Sequence, residues 1–281
     1  MPVKLFKNRL VVPVSVVIPC YKCRQSIRRA IESIAVQDAL PKEVILVEDC
    51  SNDGTLEYLE QIRESYPLGW IRVLPLMANV GPAHARNAGW DIATQPYIAF
   101  LDADDAWHYQ KIRIQYEWMI KNPEIMLVGH QSTQKKYGET ELEFVNSIPA
   151  KRISRFNLLL SNSFSTRSVM FCRELPIKFD PLKRYMEDYW WLLQIVFSNI
   201  NIYRIELPLA YTFKADYGEG GLSSKLWEME KGELNNYWGL QKNGKIAWPL
   251  ALALFVYSLV KYLHRVVVSV AKRPFYSRNG D

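Results

Sequence analysis

The sequence predicts an α/β fold in which a mostly parallel β-sheet is flanked by helices. Short apolar runs rich in β-branched residues alternate with segments of helical periodicity through roughly the first hundred residues. Strands that alternate with helices in this way form parallel sheets covered on both faces. In addition, 49% of the 281 residues are apolar, which is enough for a substantial core, so we expect a folded domain.

The predicted elements follow one another in a regular order. Each expected strand is a short apolar run, and the four runs are residues 14–18, 43–47, 71–76 and 97–101. The helices expected between them cover residues 26–36, 55–65 and 82–94. Ligands of such sheets bind at the carboxyl ends of the strands, so the loops after the strands form the candidate site. After about residue 125 the pattern is less regular and richer in aromatic residues.

Charge and cysteine content exclude some classes of protein. The formal net charge of +6 suits anionic ligands or an anionic membrane surface. No basic stripe with interleaved aromatic residues is present, so we expect no nucleic acid partner. Four cysteines are too few for a disulfide scaffold and indicate a reducing compartment. Cys20 and Cys23 form a C-x-x-C pair, for which a redox pair or half of a zinc site is the alternative to an ordinary strand end.

The N-terminal region has one feature of a signal peptide. Lys4, Lys7 and Arg9 precede an apolar stretch over residues 10–18. Pro13 and Ser15 interrupt this stretch, and no small-residue cleavage site follows it. The stretch therefore predicts a buried strand, and we expect a cytoplasmic protein that is not exported.

A cluster of carboxylates follows the fourth predicted strand. Asp102, Asp104 and Asp105 lie within four residues directly after residues 97–101. Such a cluster is costly unless a cation or a ligand rich in donors offsets the repulsion, and a hard divalent ion shared with a diphosphate would do so. The alternative is a solvated loop in which Asp105 caps a helix that begins near Trp107.

A second acidic loop follows the second predicted strand. Glu48 and Asp49 stand at the strand end, where an acidic residue can accept hydrogen bonds from a base or a ribose. Asp53 in the sequence Asp53-Gly54-Thr55 is equally consistent with ordinary turn and cap chemistry.

Two further segments carry charged candidates. Arg86 lies in a predicted helix of small residues, where it could neutralise a phosphate or form a salt bridge with Asp91. His84 in the same helix is interpreted as a polar surface residue. Glu187 and Asp188 open an aromatic helix, and the helix dipole explains part of that placement.

Together these residues resemble the inverting family 2 glycosyltransferases of the GT-A fold, over about residues 14–224 and in the family's order. The resemblance implies that Pro19 and Tyr21 lie in the nucleoside-contacting loop, that Glu48 and Asp49 form the second acidic loop, and that Asp49 binds the base. It also implies that Asp102-Ala103-Asp104 is the D-x-D motif, with Asp102 near the ribose and metal and Asp104 on the metal. Asp188 of the Glu187-Asp188 pair is then the general base. Arg86 and Glu187 are expected to be substrate-binding residues.

The sequence departs from the family pattern at two positions. Lys22 stands where the family usually has asparagine, which affects the geometry of the first loop. Lys214-Ala215-Asp216 replaces the common arginine-x-histidine of a late loop, so no histidine metal ligand is expected. We expect Lys214 to face the phosphates instead.

The implied reaction moves a sugar from a nucleotide-diphosphate sugar, with a UDP-sugar as the first expectation, to a hydroxyl of a saccharide acceptor. The implied cofactor is a divalent metal, Mn²⁺ or Mg²⁺, and a lipid-linked acceptor in cell-surface polysaccharide synthesis is expected. A sugar nucleotidyltransferase would need a glycine-rich loop after the first strand, which is absent. A non-catalytic nucleotide-sugar binding protein would be expected to lose Asp104 or Asp188, and both are present. The sugar, the acceptor and the oligomeric state stay open.

Two regions are predicted within the chain. Residues 1–225 form the GT-A catalytic domain, with a nucleotide-sugar half over about 1–125 and an acceptor half over about 126–225. Residues 226–281 form a C-terminal helical appendage. Its uncharged run over residues 246–260 falls short of a membrane span before Lys261, His264 and Arg265 begin, and these three are spaced to share one helical face. We expect a helix lying peripherally on the inner face of the cell membrane, with a core or dimer helix as the alternative.

Overall fold

The structure is a computed structural model that describes residues 9–134, 148–213 and 225–276, with side chains up to residue 268. Helices flank a single nine-stranded sheet, which confirms the predicted fold class. The strands are β1 (Leu10–Cys20), β2 (Ala39–Glu48), β3 (Ile71–Pro75), β4 (Tyr97–Phe100), β5 (Ala106–Trp107), β6 (Leu127–Gln134), β7 (Ala150–Ile153), β8 (Met170–Cys172) and β9 (Ile202–Thr212). The helices are α1 (Ile27–Ala35), α2 (Thr55–Glu64), α3 (Pro82–Ile92), α4 (Lys111–Lys121), α5 (Arg155–Leu160), α6 (Glu187–Phe197), α7 (Leu226–Lys242) and α8 (Trp248–Tyr276).

The sheet combines a parallel half with a mixed half. Its strand order is β3-β2-β1-β4-β8-β6-β9-β5, with β7 paired to β9. Strands β3, β2, β1 and β4 are parallel throughout, whereas β8 runs antiparallel to both β4 and β6. The carboxyl ends of β1, β2 and β4 therefore open at one edge, next to the antiparallel region.

Every helix and strand predicted in the first half is present within two to four residues of its expected bounds. Helix α1 shows why, because Ile27, Ala30, Ile31 and Ile34 follow the helical repeat and are all buried. Strand β2 is buried on both faces, as expected of a central parallel strand.

Helix α3 packs very closely on the sheet. A Cβ atom at Gly89 would lie 2.3 Å from Cγ1 of Val17 in β1 and 2.9 Å from Cγ2 of Val47 in β2, so only glycine permits this approach. Gly81, with a φ of +88°, and Pro82 begin the helix. The close packing brings Arg86 of α3 over the carboxyl ends of the strands.

The second half is organised by aromatic packing around α6. The ring of Trp191 stacks on that of Phe179 with centroids 4.5 Å apart and meets Phe100 and Phe171 edge-on. Helix α7 packs on α6, where the hydroxyls of Tyr237 and Tyr189 lie 3.4 Å apart, and on α5, where the Tyr237 hydroxyl donates to the carbonyl oxygen of Leu159. Helix α8 packs on α7 through Ala251 and Leu254, and it leaves its opposite side exposed.

One local prediction was wrong. Trp107 lies in β5 and not at the start of a helix, and the next helix begins only at Lys111. Asp105 is buried and accepts a hydrogen bond from Nη1 of Arg167 at 2.5 Å, so it does not cap a helix. Pairing of β5 with β9 overrides the local signal, which the sequence near Asp105 could not show.

Candidate active site

Arg86 of α3 lies at the centre of a cluster of carboxylates from the loop after β4 and the start of α6. Its Nη1 donates to Oε1 of Glu187 at the start of α6, over 2.9 Å. Its Nη2 donates to Oδ1 of Asp102 after β4, over 3.0 Å. Arg86 is only 6% exposed, so these ion pairs are little screened by water. Because α3 packs closely on the sheet, Arg86 links the D-x-D loop to α6.

Thr166 completes the contacts of Asp102. It lies in a short 3₁₀ helix, Thr166–Ser168, and its hydroxyl donates to Asp102 over 3.0 Å and accepts from Nη2 of Arg86. Burial disfavours the charge on Asp102, but the guanidinium groups of Arg86 and Arg167 outweigh it, so the pKa of Asp102 lies below its ordinary value. Asp102 is therefore held as an anion.

The pKa values of the acidic pair at the start of α6, Glu187 and Asp188, are shifted in the opposite direction. Burial, followed by the charge of Asp188, raises the pKa of Glu187 to about 7, although Arg86 opposes this. Burial also raises the pKa of Asp188 above its ordinary value. Asp188 accepts only the backbone N–H of Tyr189 at 2.8 Å and a long 3.4 Å contact from Nδ2 of Asn162 among the described residues. Asp188 is thus a partly exposed carboxylate with raised basicity and few partners.

Asp104 and Asp105 are neighbours in the sequence, but their side chains differ in exposure. The side chain of Asp105 is buried against Arg167, and burial raises its pKa to about 7. Asp104 is partly exposed at the same loop. Within the described parts of the chain, no three His, Cys, Asp or Glu side chains lie together as a metal site. Asp102 and Asp104 carry carboxylate oxygens of the hard type that Mn²⁺ and Mg²⁺ prefer, and their role as metal ligands stays a prediction.

Backbone N–H groups supply most of the hydrogen bonds to the two carboxylates of the second acidic loop. Asp49 accepts the N–H groups of Val80 and Gly81 at 2.8 and 2.9 Å and the amide of Asn79 at 3.0 Å. Glu48 accepts the N–H groups of Cys50 and Ser51 at 3.1 and 2.8 Å. Both acids are nearly fully buried. They hold the loops that follow β2 and precede α3.

The first loop keeps a strained backbone conformation at Lys22. Its φ is +49°, a left-handed value that asparagine adopts more readily than lysine. The backbone N–H of Lys22 donates to Oγ of Ser51 at 3.0 Å, which ties the first loop to the second. Tyr21 is 46% exposed beside it and Pro19 is half-buried in β1. The exposed ring of Tyr21 offers a surface on which a flat ligand could stack.

The comparisons with known proteins agree with this geometry. The model of the family described as "Glycosyl transferase family 2" matches residues 15–176, more than half of the chain. The chain belongs to this family. It is therefore a glycosyltransferase, and the two rival classes, the nucleotidyltransferase and the non-catalytic binding protein, are not supported.

Two relatives show how far the similarity of this glycosyltransferase extends. The Escherichia coli protein "UDP-Glc:alpha-D-GlcNAc-diphosphoundecaprenol beta-1,3-glucosyltransferase WfgD" is 28% identical over 272 residues, which cover 95% of this chain and 97% of that protein. TuaG of Bacillus subtilis, named for teichuronic acid biosynthesis, is 39% identical over 108 residues, which cover only 38% of this chain and 42% of that protein.

A solved structure supports the fold. The "Mannosyltransferase PcManGT from Pyrobaculum calidifontis in complex with GDP-Man and Mn2+" superimposes with a TM-score of 0.64 at 18% identity, over 99% of this chain and 81% of that one. At this identity the likeness shows the GT-A fold alone.

The predicted site residues have different outcomes in the glycosyltransferase structure. Arg86, Asp102, Glu187 and Asp188 come together, and Asp104 lies at the same loop. The alternative salt bridge of Arg86 with Asp91 was wrong, since Asp91 pairs with Lys178 instead. Lys214 lies outside the described residues.

Other expectations are settled by the local contacts. Asp53 accepts from the N–H and hydroxyl of Thr55, so its role as a turn residue is confirmed. His84 is exposed on α3, as expected. Cys20 and Cys23 are free and buried. The substrate-contacting roles of Pro19, Tyr21, Glu48 and Asp49 stay predictions.

Sequence reasoning missed three residues of the site. Thr166 and Asn162 contact Asp102 and Asp188, and Arg167 neutralises Asp105. All three lie in the irregular segment before β8, where neither periodicity nor a motif marked them. A polar segment just before a short buried strand was the only available signal.

Proposed function

We propose that this glycosyltransferase inverts the configuration of the transferred sugar, depends on a divalent metal, and acts on a lipid-linked saccharide. The observation that carries the proposal is the contrast at the start of α6. Glu187 is tied to Arg86, whereas its neighbour Asp188 is partly exposed, has few partners and has a raised pKa. A carboxylate with these properties is suited to take a proton near neutral pH.

Asp188 is the proposed general base. It would accept the proton of the acceptor hydroxyl as that oxygen attacks the anomeric carbon of the donor, and the carbon–oxygen bond to the nucleoside diphosphate would break in line. A single in-line displacement inverts the anomeric configuration. Asn162, which reaches Oδ2 of Asp188, would orient the carboxylate. General base assistance is typically worth about 10²–10⁴-fold.

The donor is proposed to bind along the carboxyl ends of β1, β2 and β4. Asp102 and Asp104 would hold Mn²⁺ or Mg²⁺, which when bound supplies charge stabilisation for the leaving diphosphate. Arg86 would keep Asp102 ionised and in place, as it does in the structure. Tyr21, Pro19, Glu48 and Asp49 would line the nucleoside end, and Lys214 would face the phosphates.

The substrate classes are inferred from relatives. The name of WfgD states a UDP-glucose donor and a diphosphoundecaprenol acceptor, and the match covers nearly all of both chains. We infer a UDP-sugar donor and an acceptor saccharide carried on a lipid. At 28% identity the sugar itself is not inferred.

Helix α8 is proposed to lie on the cytoplasmic face of the membrane. Its segment Trp248–Val268 has the length and mean hydropathy, 1.5, of a spanning helix, so the expected shortfall in length is not seen. Lys261 and Arg265 within this segment pair with Glu233 and Glu230 of α7, which favours an interfacial position. The exposed side of α8 is apolar, with Val256 57% and Leu263 62% exposed. The division of the chain at residue 225 remains part of this proposal.

The expectation that the basic face of α8 meets anionic lipid needs correction. Lys261 and Arg265 do share one face, but that face turns towards Glu230 and Glu233, whose side chains are 0% and 4% exposed. These ion pairs hold Lys261 and Arg265 against α7, away from the exposed apolar side of α8. The apolar face is left to meet the bilayer.

The proposed catalytic role is tested with Asp188→Asn. We expect thermal stabilisation by UDP-sugars with Mn²⁺ to be unchanged and kcat for transfer to fall by at least about 10²-fold, because an amide cannot take the proton. Asp91→Asn, an exposed acid on α3, is the matched control and should keep wild-type turnover. A variant with normal kcat and a large loss of donor affinity would make Asp188 a binding residue instead.

Membrane association is tested without truncation, because removing α8 would uncover buried Ala251 and Leu254. Val256→Ser and Leu263→Ser replace exposed residues only, so the fold should be kept. We expect weaker flotation with anionic liposomes and unchanged donor hydrolysis. A wild-type protein that does not float would favour a core or dimer helix.

A further inference from the structure

A cavity of about 600 Å³ lies between the loop after α5, the start of α6 and the α7–α8 pair. Asn162 and Met186 form its inner wall, and Glu233, Lys261, His264 and Arg265 line the side of the helical pair. Because Nδ2 of Asn162 reaches Oδ2 of Asp188 at 3.4 Å, the cavity lies one side chain away from the proposed base. A molecule long enough to pass Asn162 could therefore contact both Asp188 and this cavity.

The charged side chains around the cavity differ in how far they are exposed. The side chains of Glu230 and Glu233 are 0% and 4% exposed, whereas those of Arg265 and Lys261 are 18% and 28% exposed. His264 is exposed next to them. The carboxylates thus lie below the cations, and the accessible layer is cationic. Nε of Arg265 is buried without a hydrogen-bond partner among the described residues.

The surface changes again beyond the cations. On α8 several exposed side chains near these cations are apolar, and Val260, Leu263 and Val267 are 60–65% exposed. The cavity thus has Asn162 beside Asp188, basic side chains on its α8 side, and exposed apolar side chains on the same helix. A saccharide joined through a diphosphate to a lipid presents hydroxyls, negative charges and hydrocarbon, which match these three kinds of side chain.

We propose that this cavity binds the diphosphate that links the acceptor saccharide to its lipid, with Lys261, His264 and Arg265 as the phosphate contacts. The inference rests on the proposed lipid-linked acceptor and adds the place where that acceptor is held. Charge-assisted contacts to phosphate oxygens suit all three side chains. Helix α8 would then be a wall of the acceptor site as well as a membrane contact.

The test uses full-length protein and two synthetic acceptors that carry the same saccharide. One acceptor is joined through a diphosphate to a short lipid, and the other is a neutral alkyl glycoside. The variants are His264→Ala, which changes an exposed residue, and the double variant Lys261→Met with Glu233→Gln, which removes both partners of an ion pair and leaves no unpaired buried charge. Lys231→Ala, an exposed lysine paired with Glu228 elsewhere on α7, is the matched control.

We expect KM for the diphosphate acceptor to rise about tenfold or more in both variants. KM for the neutral glycoside, donor hydrolysis without acceptor, and flotation with anionic liposomes should change less than about twofold. Inorganic pyrophosphate should compete with the diphosphate acceptor in the wild type and less well in the variants. Lys231→Ala should match the wild type in every measurement.

Three results would overturn the inference. Equal changes of KM for both acceptors would mean that the cavity binds the saccharide or supports the fold. Loss of liposome flotation with an unchanged KM would mean that the cations bind lipid headgroups. A wild type that transfers to the neutral glycoside with the same KM as to the diphosphate acceptor would refute the lipid-linked acceptor of the proposed function, and the cavity assignment with it.

Discussion

The site has two acidic regions, which differ in the groups that bind to their carboxylates. Glu48 and Asp49 accept five hydrogen bonds, four from backbone N–H groups and one from the side chain of Asn79. Asp102, Glu187 and Asp188 instead share the single guanidinium of Arg86 or lie close to it. In the first region the fold itself supplies hydrogen-bond donors to both carboxylates. In the second region the carboxylates outnumber the cations that contact them.

This difference separates residues that build the site from residues that remain available to a ligand. Backbone donors are fixed by the fold, so Glu48 and Asp49 stabilise the loops in the free protein. Arg86 is shared between Asp102 and Glu187, and Arg167 pairs with Asp105, so among the described residues Asp188 accepts no hydrogen bond from a cation and can take an incoming proton. Four substitutions test the comparison.

The largest effect is expected from Asp104→Ala. Loss of this proposed metal ligand should lower transfer activity by at least about 10³-fold, equivalent to about 4 kcal/mol, and abolish stabilisation by UDP with Mn²⁺. The melting temperature of the free protein should stay near that of the wild type, because Asp104 is partly exposed. Asp53→Ala, a turn acid outside the cluster, should retain activity. Full wild-type activity in excess chelator would refute metal dependence.

Arg86→Met should produce the next largest effect, on the free energy of unfolding. Removing the shared cation leaves buried carboxylates unpaired, at a cost of about 3–5 kcal/mol near pH 8. Without Arg86 the folded pKa values of these acids rise, so stability is lost as pH rises through them, and the cost should be smaller near pH 5. Urea unfolding at both pH values measures this.

The control for this substitution is Arg63→Met, which breaks only an exposed pair with Glu60. It should change the free energy of unfolding by less than about 0.5 kcal/mol. If Arg86→Met costs the same at both pH values, the cluster is not electrostatically coupled as described.

Glu187→Gln should alter the pH dependence of stability. The folded pKa of about 7 lies above the ordinary 4.5, so this group's contribution is fully present below about pH 4.5 and is lost as pH rises through 7. Gln is neutral at every pH and avoids that loss. The variant should gain stability relative to the wild type between pH 5 and 8, by at most about 3 kcal/mol. A pH-independent difference would show that Glu187 ionises normally.

Asp49→Asn should have the smallest effect of the four and should act on stability. An amide nitrogen would face the N–H donors of Val80 or Gly81, and the lost charge-assisted hydrogen bonds are worth about 2 kcal/mol. Calorimetric unfolding measures the change. If donor KM rises strongly while stability is unchanged, Asp49 contacts the base as the family resemblance implies, and its scaffold role is minor.

The part of the fold that could be predicted from the sequence followed from the local spacing of apolar residues. Helix α1 and strand β2 repeat their apolar residues with the period of the element, and the core requires that repeat. The short strand β5 and the region after residue 125 were not predictable to the same degree. Strands β5 and β8 have only two and three residues, and they form because partners distant in sequence hold them.

The sequence by itself determined the parallel half of the sheet, the acidic loops at its carboxyl edge and the family resemblance, because these depend on short-range periodicity and contiguous motifs. Only the tertiary structure decided that Arg86 pairs with Asp102 and Glu187, which lie 16 and 101 residues away along the chain. It likewise turned Lys261 and Arg265 towards buried glutamates of α7. The choice among possible ion partners depends on which carboxylates packing removes from water, and that is a property of the assembled core.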